Sequence, residues 1–287
     1  MIAILLIAAI VLWLSGCGGG GSSTQAPASA PAPAQPPEDA PVWTQIDTLG
    51  FCCHYTPIVM APEGLRVYSN TGNGGDGVWH LDGAPVLRIT DPRDAYIRTS
   101  AVQRDQRGYF ALLYTGACYG SGCPGGNGFS PSWATSPDGR TNWTWHGPVS
   151  PYGRYQASAA AMVIEADGTF SAWTDNANAK LRRSTSHDGI HWIADAADSW
   201  PAELSGDDPQ FPTATRTPYG YHLIAADHWP ANHHRHLYSC DGKRWRVLEM
   251  SAPTLSEKGA NLTYHDGVIY ALSAGKLWST AARGWTC

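Results

Sequence analysis

Short runs of strand-forming residues, punctuated by Gly, Pro and Asp-Gly pairs, fill residues 42–287, and no long segment carries a 3.6-residue apolar period. In one stretch, residues 157–164 read as a strand, Asp167-Gly168 as a turn and residues 169–174 as a second strand. Residues 181–184 read as a third strand, after which Asp188-Gly189 turns the chain into a fourth begun by Trp192. The same order recurs near the C-terminus, where residues 260–264, 268–273 and 276–279 surround His265-Asp266-Gly267. Asp-Gly pairs tolerate the positive φ of tight hairpins, so the unit predicted is four consecutive antiparallel strands.

Three copies of one hairpin sequence set the period: Ser136-Pro137-Asp138-Gly139 with Trp143, Ser186-His187-Asp188-Gly189 with Trp192, and Ser239-Cys240-Asp241-Gly242 with Trp245. They recur at intervals of roughly 50 residues. A degenerate copy precedes them at Trp79-His80-Leu81-Asp82-Gly83, and Trp278 to Trp285 reads as a last one. Five units of four strands predict an all-β, five-bladed β-propeller. The Ser-x-Asp-Gly signature resembles the Asp-box of sialidases and other propeller glycosidases. That resemblance implies structural aspartates at the blade periphery, with Ser and Asp side chains bonding the hairpin backbone and Trp packed between blades. Five blades point to the fold shared by glycoside hydrolase families 43, 62, 32 and 68.

The N-terminus adds a destination. Residues 2–14 form an apolar run too short for a membrane-spanning helix and of the length of an export signal. Leu14-Ser15-Gly16-Cys17 resembles a bacterial lipobox, which implies a signal peptide over residues 1–16, lipidation of Cys17 and attachment to a membrane surface of the cell envelope. The Lys or Arg that normally precedes the apolar core is missing, and an uncleaved anchor helix is the competing reading. Residues 17–41, rich in Gly, Ser, Ala and Pro, cannot bury enough apolar surface to order themselves and read as a tether. The propeller is expected over residues 42–287. A net charge of −5 without a basic stripe argues against nucleic acid as a partner, and nothing indicates oligomerisation.

In a propeller the first strand of each blade lines the axis, which nominates the residues that open it. These are Cys52, Cys53, His54 and Tyr55 in blade one, Arg98 in blade two, Gln156 in blade three, Asp208 and Gln210 in blade four, and Glu257, Lys258 and Asn261 in blade five. The ends of the second strands add Asn70, Tyr114, Trp173, Asp175, Asp227, His228 and Trp229. Aromatic faces, amides and a few charges suit a hydroxyl-rich ligand such as a glycan. Two-acid glycoside hydrolysis needs a pair of carboxyl groups across the bond, for which Asp208 and Glu257 are the candidates. Family 43 enzymes place acids in blades one, two and three, whereas the corresponding positions here read His54-Tyr55, Tyr96-Ile97-Arg98 and Tyr155-Gln156. Both a rearranged hydrolase and a sugar-binding protein without turnover therefore stand.

His233, His234 and His236 invite a Zn or Cu site, but nothing fixes their spacing, and a solvated loop is the expectation. No cofactor is called for, and the sequence leaves open whether a Ca²⁺ ion sits on the axis. Besides Cys17, six cysteines remain for an oxidising compartment. Cys118 and Cys123 flank a short loop and are expected to pair. Cys52 and Cys53 either pair with each other, leaving Cys240 to Cys287, or reach out to those two distant cysteines. A vicinal pair closes almost no loop and would matter as binding surface more than as a cross-link.

Overall fold

In the computed structural model the residues described are 41–49, 56–70, 77–91, 96–118, 128–149, 160–175, 181–197, 199, 201, 210–226, 234–248 and 260–285. Among the described residues strand β1 (Thr44–Thr48) comes first, and nineteen further strands follow it. Blade one is β2 (Ile58–Ala61), β3 (Gly64–Asn70), β4 (Val78–Leu81) and β5 (Ala84–Arg88). Blade two is β6 (Tyr96–Arg104), β7 (Phe110–Cys118), β8 (Gly128–Ser136) and β9 (Thr144–Pro148). Blade three is β10 (Ala160–Ile164), β11 (Phe170–Asp175), β12 (Leu181–Ser186) and β13 (Ile193–Ala194). Blade four is β14 (Gln210–Thr217), β15 (Gly220–Ala226), β16 (His234–Ser239) and β17 (Arg246–Leu248). Blade five is β18 (Asn261–His265), β19 (Val268–Ser273) and β20 (Lys276–Ala281), completed on its outer edge by β1.

The expected five-bladed propeller of four antiparallel strands is therefore present, with one correction. The stretch from Trp278 to Trp285 does not form a hairpin to a fourth strand; that strand comes from the other end of the chain, with Thr44 paired to Ser279 and Thr48 to Lys276. The first strands pack against one another in the order β2, β6, β10, β14, β18, and β18 returns to β2. Radial repetition around the ring leaves each blade with only short, protected sheet edges.

Period-two alternation builds the core between blades, because both faces of every blade are covered. On β7, Phe110, Leu112 and Tyr114 join Tyr68, Trp79 and Val102 in the layer between blades one and two. Their neighbours Ala111 and Leu113 face the other way, towards Trp133, Met162 and Ala172. Trp173, Leu181, Leu223 and Leu237 fill the third layer. Ile224, Leu262 and Ile269 fill the fourth, together with Trp43 just ahead of β1. Ile58, Leu272 and Leu277 close the ring between blades five and one.

The hairpins between third and fourth strands lock these layers. In each Ser-x-Asp-Gly copy the serine Oγ accepts the glycine N–H at 2.8–2.9 Å and donates to the aspartate Oδ1 at 3.0–3.1 Å. The aspartate Oδ1 accepts two backbone N–H groups further round the turn. Bonds from the Thr141 hydroxyl and N–H hold the Asp138 carboxyl well below the usual carboxylate range. The His191 side chain and N–H do the same for Asp188. Burial pushes Asp241 upward, but the N–H groups of Arg244 and Lys243 outweigh it and bring the carboxyl down to about 2. The box glycines then press on an aromatic ring of the preceding blade. Gly189 has φ +77°, and a Cβ there would lie 2.3 Å from the Trp133 ring. Gly242 receives the Trp173 Nε1–H on its carbonyl at 2.8 Å, and Gly139 the Tyr68 hydroxyl at 2.8 Å. The box tryptophans meet the same rings edge-on: Trp143 on Tyr68, Trp192 on Trp133 and Trp245 on Trp173.

Candidate functional site

Antiparallel order within a blade puts the start of the first strand, the end of the second, the start of the third and the end of the fourth at one end of the molecule. Every connection between blades therefore leaves from that end, and so do the long connections after β3, β7, β11 and β15. Blade five is the exception, since β19 and β20 are joined by Ala274-Gly275 alone, both at positive φ. The opposite end carries the short hairpins, such as Asp266-Gly267 between β18 and β19. The long connections thus gather at one end of the axis, and the candidate residues distribute accordingly.

Of the predicted site residues, Arg98, Asp175, Gln210 and Asn261 lie on described backbone at that end. Arg98 is in β6, Asp175 is the last residue of β11, and Gln210 and Asn261 are the first residues of β14 and β18. Cys52, Cys53, His54, Tyr55, Gln156, Asp208, Asp227, His228, Trp229, Glu257 and Lys258 lie outside the described residues, as do Cys17, Cys123 and Cys287. Cys118 ends β7, and Cys240 is disulfide-bonded.

Two bulges shape the mouth. Along β6 the pairing with β7 shifts between Ile97 and Ser100, so one extra residue is accommodated in the interval that holds Arg98. Along β14 the shift falls between Gln210 and Thr213, at the equivalent height. A bulge bends its strand and re-aims the side chains beside it, and such irregularities concentrate next to binding sites. Below the second bulge, Thr213 Oγ1 accepts the Leu262 N–H at 3.0 Å, fastening blade four to blade five. Asn70, at the end of β3, is buried with no hydrogen-bond partner for its Nδ2 among the described residues, and Thr174 Oγ1 in β11 is in the same state. A buried polar atom without a partner is costly, and both stand next to the strand ends that meet the mouth.

Two other expected members are structural. Tyr114 lies within β7, fully buried, its hydroxyl accepting the Trp145 Nε1–H at 2.9 Å. Trp173 lies within β11 and is spent on Gly242. The histidine run also differs from expectation. His234 and His236 belong to β16 rather than to a solvated loop, and His236 is completely buried, with Nε2 3.0 Å from Nδ1 of the equally buried His222. Burial draws His222 down to about 4 and holds His236 well below the usual imidazole range, with repulsion from His222 adding to the effect. Trp43 and Trp285, from the two ends of the propeller chain, pack against this pair.

Among the described residues, the carboxylates of Glu63, Asp105, Asp138, Glu165, Asp188, Asp195 and Asp241 are tied into turns or ion pairs. Glu165 accepts the Ser171 hydroxyl and the Tyr221 hydroxyl at 2.7 Å each, and Arg216 Nε lies 3.3 Å away. Asp105 is held by Arg107, Glu63 by Arg66 and Arg140, and Asp195 by Arg183. No three His, Cys, Asp or Glu side chains among the described residues come together as a metal-binding group.

The arrangement has counterparts among solved structures. A GH43_1 enzyme from Xanthomonas citri complexed with xylose superposes with a TM-score of 0.58 over 85% of this chain and 90% of its own, at 11% identity. This chain has the five-bladed propeller fold of glycoside hydrolases. The xylan β-1,4-xylosidase of Bacillus halodurans C-125 matches at a TM-score of 0.57 and 14% identity, over 83% of this chain and 53% of its own. A member of the GH130 family of mannoside phosphorylases, which contains glycoside hydrolases that target β-1,2-mannosidic linkages in Candida mannan, matches at 0.54 and 12% identity, over 81% and 84%. No family model and no curated protein sequence matches the chain.

Proposed function

We propose that this protein is a glycoside-hydrolase-like, carbohydrate-active protein that takes a glycan at the loop-bearing end of the propeller axis. The observation that carries the reading is the convergence at one end of the ring of every inter-blade connection, four long second-to-third connections and two bulged inner strands. The glycoside hydrolase fold supports a carbohydrate ligand. Asp208 and Glu257 are proposed as the acid pair, with Asp175, whose backbone ends β11, as a further acid at the same mouth. Residues 1–16 are proposed as export signal, Cys17 as the lipidated residue, and residues 17–41 as the tether that holds a monomeric propeller at a membrane surface.

A second reading is binding without turnover. It is favoured by the sequence at the positions of the family 43 acids, which here reads His54-Tyr55, Tyr96-Ile97-Arg98 and Tyr155-Gln156. A glycan array paired with an aryl-glycoside panel separates the two. Hydrolysis that falls at least a hundredfold in Asp208→Asn or Asp175→Asn supports catalysis. Glycan capture with no hydrolysis of any aryl glycoside supports the binding protein. Absence of both, in protein whose melting is cooperative, would refute a carbohydrate role at this end.

A further inference from the structure

The end of the axis opposite the mouth is not flat. A cavity of about 340 Å³ opens there between the far ends of the inner strands, lined by Arg104, Glu165, Arg216, Thr217 and Tyr264 from four different blades. Its charges are unequally spent. Glu165 has both oxygens occupied by the Ser171 and Tyr221 hydroxyls, with Arg183 3.7 Å away on one side and Arg216 on the other. Asp105, also on the wall, is bound to Arg107. Arg216 uses only its Nε on Glu165, and that side chain remains 38% exposed. Arg104 makes no hydrogen bond or ion pair with a described residue, and its guanidinium lies 5.8 Å from the Phe110 ring centroid.

Two guanidinium groups with free N–H edges therefore border one cavity, while the acids beside them are already neutralised. Planar forked donors match the oxygens of a carboxylate or sulfate, and the fixed Glu165 contact orients Arg216 in advance of any ligand. The Tyr264 ring on the same wall offers an apolar face, and its hydroxyl is held by the Gly267 N–H at 3.2 Å. We infer that this cavity is a second ligand site, which takes the anionic group of an acidic sugar between Arg104 and Arg216. It lies at the other end of the propeller from the proposed glycan mouth and does not depend on that reading.

The test uses the full chain and follows the arginine Nε–H resonances by NMR during titration with galacturonate, galactose and inorganic sulfate. The inference expects galacturonate to shift two of these resonances saturably, to do so less at high salt, and to be matched by no effect of galactose. Arg104→Gln removes one of the two resonances and weakens galacturonate by roughly tenfold, the scale of one charge-assisted hydrogen bond. Because Arg104 makes no hydrogen bond or ion pair with a described residue and lies only at the outer range of the Phe110 ring, this variant should melt within about a degree or two of the parent; Arg104→Lys should retain part of the affinity. Shifts by galactose equal to those by galacturonate, saturation by sulfate alone, or unchanged affinity in Arg104→Gln would each overturn the inference.

Discussion

Replacing the buried His222–His236 pair should make the propeller less sensitive to acid. Both rings are inaccessible to solvent, sit 3.0 Å apart through Nδ1 and Nε2, and are packed by Trp43, Tyr238 and Trp285. Two neutral rings carry two protons, one shared between Nδ1 of His222 and Nε2 of His236 and one on an outer nitrogen, so a third proton puts charge on a buried pair whose outer nitrogens have no hydrogen-bond partner among the described residues. Burial lowers His222 from 6.5 to about 4, so between those values the unfolded chain binds more protons than the folded one. Stability then rises with pH: the contribution is complete above about 6.5 and is lost as pH falls towards 4. The displacement of His222 corresponds to about 3 kcal/mol, and His236 acts in the same direction. The measurement is urea unfolding of the parent and of the double variant His222→Phe/His236→Phe at pH 7, 6, 5 and 4. Carboxylate titration is common to both proteins and cancels in their difference. The expectation is that the variant gains on the parent by about 3 kcal/mol between pH 7 and pH 4. A difference that stays constant over that range would refute the reasoning, whatever its size at neutral pH.

Other outcomes follow from the hairpins and the closure. Gly189→Ala should cost more than about 3 kcal/mol, because its Cβ meets the Trp133 ring at 2.3 Å; Gly168→Ala, also at positive φ but with open space around it, should cost about 1 kcal/mol. Thermal melts of the two variants side by side check the contrast. Ser186→Ala removes the acceptor of the Gly189 N–H in a buried turn and should cost about 1–3 kcal/mol in chemical unfolding. Asp241 lies at about 2 in the folded chain, so its advantage over Asp241→Asn should be complete above about 4 and vanish as pH falls towards 2, a crossing visible in acid-unfolding curves. Trp43→Ala should cost about 3–5 kcal/mol, read as a lowered denaturation midpoint with unchanged slope.

Local signals carried most of the architecture. Asp-Gly pairs and strand composition are properties of neighbouring residues, and the units expected at 157–194 and 260–279 match β10 to β13 and β18 to β20 within a few positions. What failed was non-local. Nothing in Thr44-Gln45-Ile46-Asp47-Thr48 announces a partner at the far end of the chain, and all five of its residues remain exposed. Tyr114 and Trp173 look like sugar-stacking aromatics until Trp145, two strands away in the same blade, and Gly242 of the following blade supply their partners. His236 sits in a polar run, and only the cross-strand neighbour His222 explains its burial. The Glu165 network gathers Ser171, Arg183, Arg216 and Tyr221 from two blades, so no spacing along the chain could reveal it. Strand order alone was legible for the site, and it sets Arg98, Asp175, Gln210 and Asn261 at the end from which the long connections leave.

The composite last blade also sets a timetable. Loop-closure entropy must be met before a distant pairing is rewarded, and β1 can find its edge only after β20 exists. The first strand to leave a ribosome or a translocation channel is therefore the last to be seated. Until then blade five is a three-stranded sheet with a bare edge, and Trp43 is not yet packed against His236. A chaperone that guards this chain would have one vulnerable seam to protect, and a peptide copying residues 42–49 would be expected to compete for it during refolding and to be ignored once the ring has closed.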